Sequence, residues 1–208
     1  MKLKHIASIL ALSLTMTAAS AANFSFTGNF THDNDVQQFN FSVGAASSVS
    51  LRSWSYAGGV NAAGANIARG GFDPILALFD STGTYINQQD DAGCSLVAAD
   101  AVTSRCYDTF FTVNLAAGNY TATVMQYDDF AVGPLLSAGF TRDGVTNQNF
   151  RNGFVDAANN KRDAHWAFDI LNVNSASIPG GTVPEPASLA LLGLGLAGIA
   201  AARRRKAA

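Results

Sequence analysis

Through the middle of this chain the apolar side chains fall on every second residue: Phe24 and Phe26; Phe39, Phe41 and Val43; Val49 and Leu51; Phe111, Val113 and Leu115; Tyr120, Ala122 and Val124; Trp166, Phe168 and Ile170. A repeat of two is the pleat of a strand with one buried face, and no stretch of the same region keeps the 3.6-residue repeat of an amphipathic helix. Residues 74–79 form a continuous apolar run instead, the pattern of a strand covered on both faces. Ala116-Ala117-Gly118-Asn119 joins two alternating segments and predicts a hairpin with glycine in its turn. The expected fold class is all-β, with two antiparallel sheets packed as a β-sandwich.

The charged residues agree. The one glutamate is Glu185, and between residues 22 and 181 fourteen aspartates stand against seven Arg and Lys, a net charge of about −7 where the whole chain carries −2. Aspartate favours turns and glutamate favours helices, so the imbalance suits a loop-rich β protein. A surface this acidic makes nucleic acid and anionic lipid poor partners, and no nucleic acid is expected. Cys94 and Cys106 lie close in sequence, and in an exported chain such a pair is expected to form a disulfide. In the chain-entropy picture a loop of that length stabilises the fold by about 3 kcal/mol.

Neither end follows the pattern. Lys2 and Lys4 precede an apolar stretch over residues 6–17, and Ala19-Ser20-Ala21 offers small residues where a signal peptidase reads, predicting cleavage near Ala21 or Ala22. At the other end stand Val183-Pro184-Glu185-Pro186, then an uncharged apolar run over residues 187–202, then Arg203-Arg204-Arg205-Lys206. The run is slightly short for a spanning helix, and the basic cluster would hold its end in the cytoplasm. The prolines keep Glu185 in extended, accessible backbone. The expected organisation is a signal peptide over 1–21, an ectodomain over 22–178, a linker over 179–186, a transmembrane helix over 187–202 and a basic tail over 203–208.

This tail resembles the PEP-CTERM sorting signal of Gram-negative bacteria, in which a Pro-Glu-Pro element, a membrane segment and an Arg-rich end are recognised by an integral-membrane exosortase. The resemblance implies export, a transient inner-membrane anchor, release to the cell surface or beyond, and association with exopolysaccharide and biofilm.

The ectodomain carries a second likeness. Residues 35–43, the segment Asp73-Pro74-Ile75-Leu76-Ala77-Leu78-Phe79-Asp80-Ser81-Thr82-Gly83, the pair Asp90-Asp91, and residues 115–121 together resemble the bacterial pre-peptidase C-terminal domain. That family implies a sandwich of jelly-roll type, with collagen or carbohydrate binding in some members. The same residues have scaffold reasons of their own. Pro74 opens a strand where a missing donor is tolerated, and Gly83 supplies positive φ to a turn.

Little in the ectodomain points to catalysis. His32 and His165 are its only histidines, no Gly-x-Ser-x-Gly elbow occurs, and neighbouring carboxylates such as Asp90-Asp91 point to opposite faces of a strand, unlike the convergent pair of a glycoside hydrolase. An enzyme is not expected. Asp33 and Asp35 in one turn and Asp90 and Asp91 in another are read either as solvated turn residues or as hard oxygen ligands of a structural calcium ion. Two long irregular stretches, 57–71 and 133–163, are where a binding surface would lie. The alternative to a matrix protein is therefore a carbohydrate- or protein-binding module using Trp54, Tyr56, Phe140 and Phe154, since aromatic faces stack on sugar rings.

Overall fold

The computed structural model describes residues 20–144 and 150–180. The sorting element, the apolar run over 187–202, the basic cluster and all but the end of the signal peptide lie outside those residues. The described residues form eleven strands: β1 (Ala22–Asn29), β2 (Gln37–Val43), β3 (Ser47–Ser53), β4 (Gly59–Val60), β5 (Asn66–Ile67), β6 (Pro74–Asp80), β7 (Tyr85–Gln89), β8 (Phe110–Leu115), β9 (Gly118–Gln126), β10 (His165–Val173) and β11 (Ser175–Ser177). The only helical element among the described residues is a 3-10 turn at Leu136–Ala138. One sheet has the order β1-β10-β3-β8, a second has β11-β2-β9-β6-β7, and β4 pairs with β5 in a small ribbon. Every strand pair is antiparallel.

The alternation translates directly into a sandwich-like core. Phe24, Phe26, Leu51, Phe168 and Ile170 from the first sheet meet Phe39, Phe41, Leu76, Leu78 and Val124 from the second in one buried cluster. Phe39 lies at its middle, with ring centroids 4.9 Å from Phe26, 5.5 Å from Trp166 and 4.8 Å from Phe168. Such tilted and edge-on pairs are the favoured geometry for aromatic rings.

Strand β6 is buried on both faces, as its continuous apolar run predicts. Leu76 and Leu78 enter the main core, while Ile75, Ala77 and Phe79 form a second cluster with Met125 and Phe140. Residues 127–140 cover that outer face, contributing Tyr127, Phe130, Ala131 and Leu136. Part of the long stretch that the sequence marks as a candidate binding surface is thus a lid on the sheet. The β6–β7 connection is the expected turn: the Gly83 N–H donates to the Asp80 carbonyl at 2.9 Å, and Gly83 has φ 79°.

The expected hairpin at residues 116–119 is corrected. Strand β8 belongs to the four-stranded sheet and β9 to the five-stranded one, so this turn carries the chain from one layer to the other. Alternation shows which face of a strand is buried, and both arrangements bury the same face.

Candidate metal centre

Antiparallel pairing of β6 with β7 sets Leu76 opposite Gln89, so the residue before β6 and the two residues after β7 emerge together. These are Asp73, Asp90 and Asp91, each offering a carboxylate oxygen within 4.8 Å of the others; the expectation that Asp90 and Asp91 point to opposite faces is corrected, because both lie beyond the end of β7, where the pleat no longer sets their directions. Asp73 is 1% exposed, Asp90 is half-buried and Asp91 is open to solvent. One Asp73 oxygen accepts the Ala157 N–H at 3.2 Å, while its Oδ1 and the Oδ1 of Asp90 are buried without a hydrogen-bond partner. The Thr109 hydroxyl fixes the floor, donating to the Pro74 carbonyl at 2.7 Å and touching the Asp90 carbonyl.

The electrostatics are unfavourable to three free carboxylates. Burial, with Asp90 and Asp91 adding like charge, pushes Asp73 up to about 9. Burial and then Asp91 push Asp90 up to about 7; Asp91 is exposed as a residue, but partial enclosure of its carboxyl and then Asp108 push it up to about 6. All the donors are hard oxygens, which suits calcium or magnesium better than zinc.

Beside this cluster three loops are fastened by charged and aromatic groups. Tyr56 is fully buried; its hydroxyl donates to Asp156 at 2.6 Å and lies 2.8 Å from the Thr103 hydroxyl, and the Arg162 guanidinium sits 3.7 Å from its ring centre. Arg162 also donates to the Gly71 carbonyl at 2.9 Å and lies 3.6 Å from Asp100, with both side chains almost wholly buried. Asp100 accepts from Arg69 at 2.7 Å and from the Thr103 N–H at 2.8 Å. It belongs to the loop closed by the Cys94–Cys106 disulfide.

The residues expected to form sites are distributed otherwise than the sequence suggests. Asp33 is buried and caps the 150–153 segment, its two oxygens accepting the N–H groups of Phe150 and Arg151 at 2.8 Å. Asp35 accepts the Thr31 N–H at 2.7 Å and the His32 N–H at 2.9 Å. The carboxylate that joins Asp90 and Asp91 is Asp73, and the signal for it was the Asp-Pro step at the start of β6, facing the Asp-Asp pair across one hairpin.

The proposed stacking surface is also corrected. Tyr56 and Phe140 are buried, and Phe154 is half-buried against Phe72, with centroids 5.7 Å apart. Trp54 is half-buried, donates its indole N–H to Asp169 at 2.7 Å and has the Arg52 guanidinium 3.8 Å from its ring centre. The four do not form an open aromatic platform, because their faces are taken up in packing the loops.

Residues 182–206 match the family model of the PEP-CTERM protein-sorting motif. The match supports an exported protein sorted by an exosortase, with the tail as a transient membrane anchor. Comparison with curated proteins returns no match. Among the described residues no helix is long and apolar enough to cross a membrane.

Proposed function

We propose that this chain is a non-enzymatic surface or matrix protein, delivered outside the cell by an exosortase and held there in contact with exopolysaccharide. The observation that carries this reading is the sorting motif joined to a disulfide-bonded β domain. Two features support it. Both ring nitrogens of His165 are engaged, one with Asp163 and the other with the Ala68 carbonyl, leaving none to activate a nucleophile. The outer face of β11, β2 and β9 forms a shallow groove of hydroxyl and amide groups, among them Asn40, Ser42, Asn119, Thr121 and Ser175, which can exchange water for sugar hydroxyls. The four segments that resemble the pre-peptidase C-terminal domain fall on β2, on β6 and its turn, at the end of β7 and at the β8–β9 crossing, and we assign the ectodomain to that jelly-roll type.

The test is fractionation of native cells with and without their exosortase and their exopolysaccharide synthesis. The chain should sediment with polymer in the parent, remain in the membrane without exosortase, and pass into the soluble medium when polymer is absent. The same distribution in all three strains would overturn the proposal.

A further inference from the structure

We propose that Asp73, Asp90 and Asp91 hold one structural calcium ion at the junction of β6, β7 and the disulfide-closed loop. Asp73 is almost completely buried, yet one of its oxygens has no donor, and the adjacent Asp90 has a buried oxygen in the same condition. Buried polar atoms in folded proteins are nearly always partnered, by protein, water or an ion, so unpartnered buried oxygens on two neighbouring aspartates of one cluster mark a place for a ligand.

The nearest charged groups do not supply that partner. Asp108 and Asp156 are themselves carboxylates, engaged with Ser53 and Ala57 and with Tyr56 and Asn160 respectively. Asp128, which adds further negative charge beside Asp90, is paired with Arg142. A cation is what this geometry lacks, and oxygens within 4.8 Å of one another fit around an ion whose ligands stand about 2.3–2.6 Å away. Calcium tolerates the irregular mixture of carboxylates and water that one buried, one half-buried and one open aspartate impose, whereas magnesium demands near-ideal octahedral geometry. Exposed Asp91 gives the ion its way in. Calcium sites of extracellular modules work at about 10⁻⁴–10⁻³ M, so the site would fill after export.

Bound there, the ion would tie the start of β6 to the end of β7, and through the Ala157 contact to the 150–163 loop. The inference stands independently of the polysaccharide reading.

The experiment uses the full chain, exported from cells without exosortase so that the tail stays intact, purified in mild detergent and stripped with chelator. Calcium titration should show one ion per chain. At a hundredfold excess over Kd it should raise Tm by about 5–10 °C, with less than half that rise in magnesium. Asp73→Asn and Asp90→Asn should each remove the response without lowering the calcium-free Tm, and Asp35→Asn should retain it. Absence of bound calcium in the unmodified chain, an equal response to magnesium, or a response that survives Asp73→Asn would each overturn the assignment. The first two readouts need no variant, so a variant that fails to fold leaves the proposal open to refutation.

Discussion

Asp100→Ala is expected to lower the unfolding free energy by about 3–5 kcal/mol at pH 7, the cost of removing one partner from a buried ion pair and leaving the other charge uncompensated. The stranded group is Arg162, whose side chain is 2% exposed. Arg69 loses its carboxylate partner as well, and the turn at Val102 and Thr103 loses the acceptor of its N–H groups. The effect must depend on pH. Burial alone would raise the Asp100 carboxyl, but the hydrogen bonds from Arg69 and Thr103 outweigh it and hold the group well below the usual carboxylate range. A depressed folded pKa gives stability that is complete above the unfolded value, about 3.9, and fades as pH falls below it. Urea unfolding of both proteins at pH 7 and at pH 3 should therefore show the gap narrowing in acid. A gap that stays constant, or one below about 1 kcal/mol at pH 7, would mean that Asp100 does not anchor the three loops.

Phe39→Ala should cost a similar amount, about 3–5 kcal/mol, for a different reason. The ring is fully buried and bridges the two sheets through Phe26, Trp166 and Phe168, so its removal forfeits apolar burial and leaves a cavity that two sheets cannot close without moving apart. Phe39→Leu should recover part of the loss, because it refills some of that volume. The measurement is a denaturation midpoint at unchanged slope, which reports stability without a change in the surface exposed on unfolding. A loss in Phe39→Ala no larger than in Phe39→Leu would show that the ring is not the keystone of the core.

How far the sequence carried depended on what kind of signal each element left. Strands with a clear inner face, such as β2 with Phe39, Phe41 and Val43, were legible because burial imprints a repeat of two. Strand β7, Tyr85–Gln89, reads Tyr-Ile-Asn-Gln-Gln and lies at a sheet edge, where little burial is required and no repeat is imposed. Three-residue β11 is too short to show one. Sheet order was illegible for another reason: a pleat records a strand's faces and not its neighbours, so the crossing between β8 and β9 looked like a hairpin.

The candidate site divides along the same line. Asp90 and Asp91 were visible as adjacent carboxylates, but Asp73 is brought to them by hairpin register. The long loops misled because an aromatic in an irregular segment carries no period to tell its burial. Tyr56 follows Trp54-Ser55 into a stretch of Gly, Ala and Asn, yet it is the residue around which that stretch is tied to Asp156 and Arg162. The tail is the plainest segment of the sequence, because order, charge and the two prolines all lie in consecutive residues.

Export of this β domain and its separation from the tail are both recorded in the intact mass of the protein recovered from the surface of its native cells. That protein should begin near Ala22 or Asn23, retain the Cys94–Cys106 bridge, and lack Arg203-Arg204-Arg205-Lys206. A surface population that still carries those four basic residues would contradict that separation.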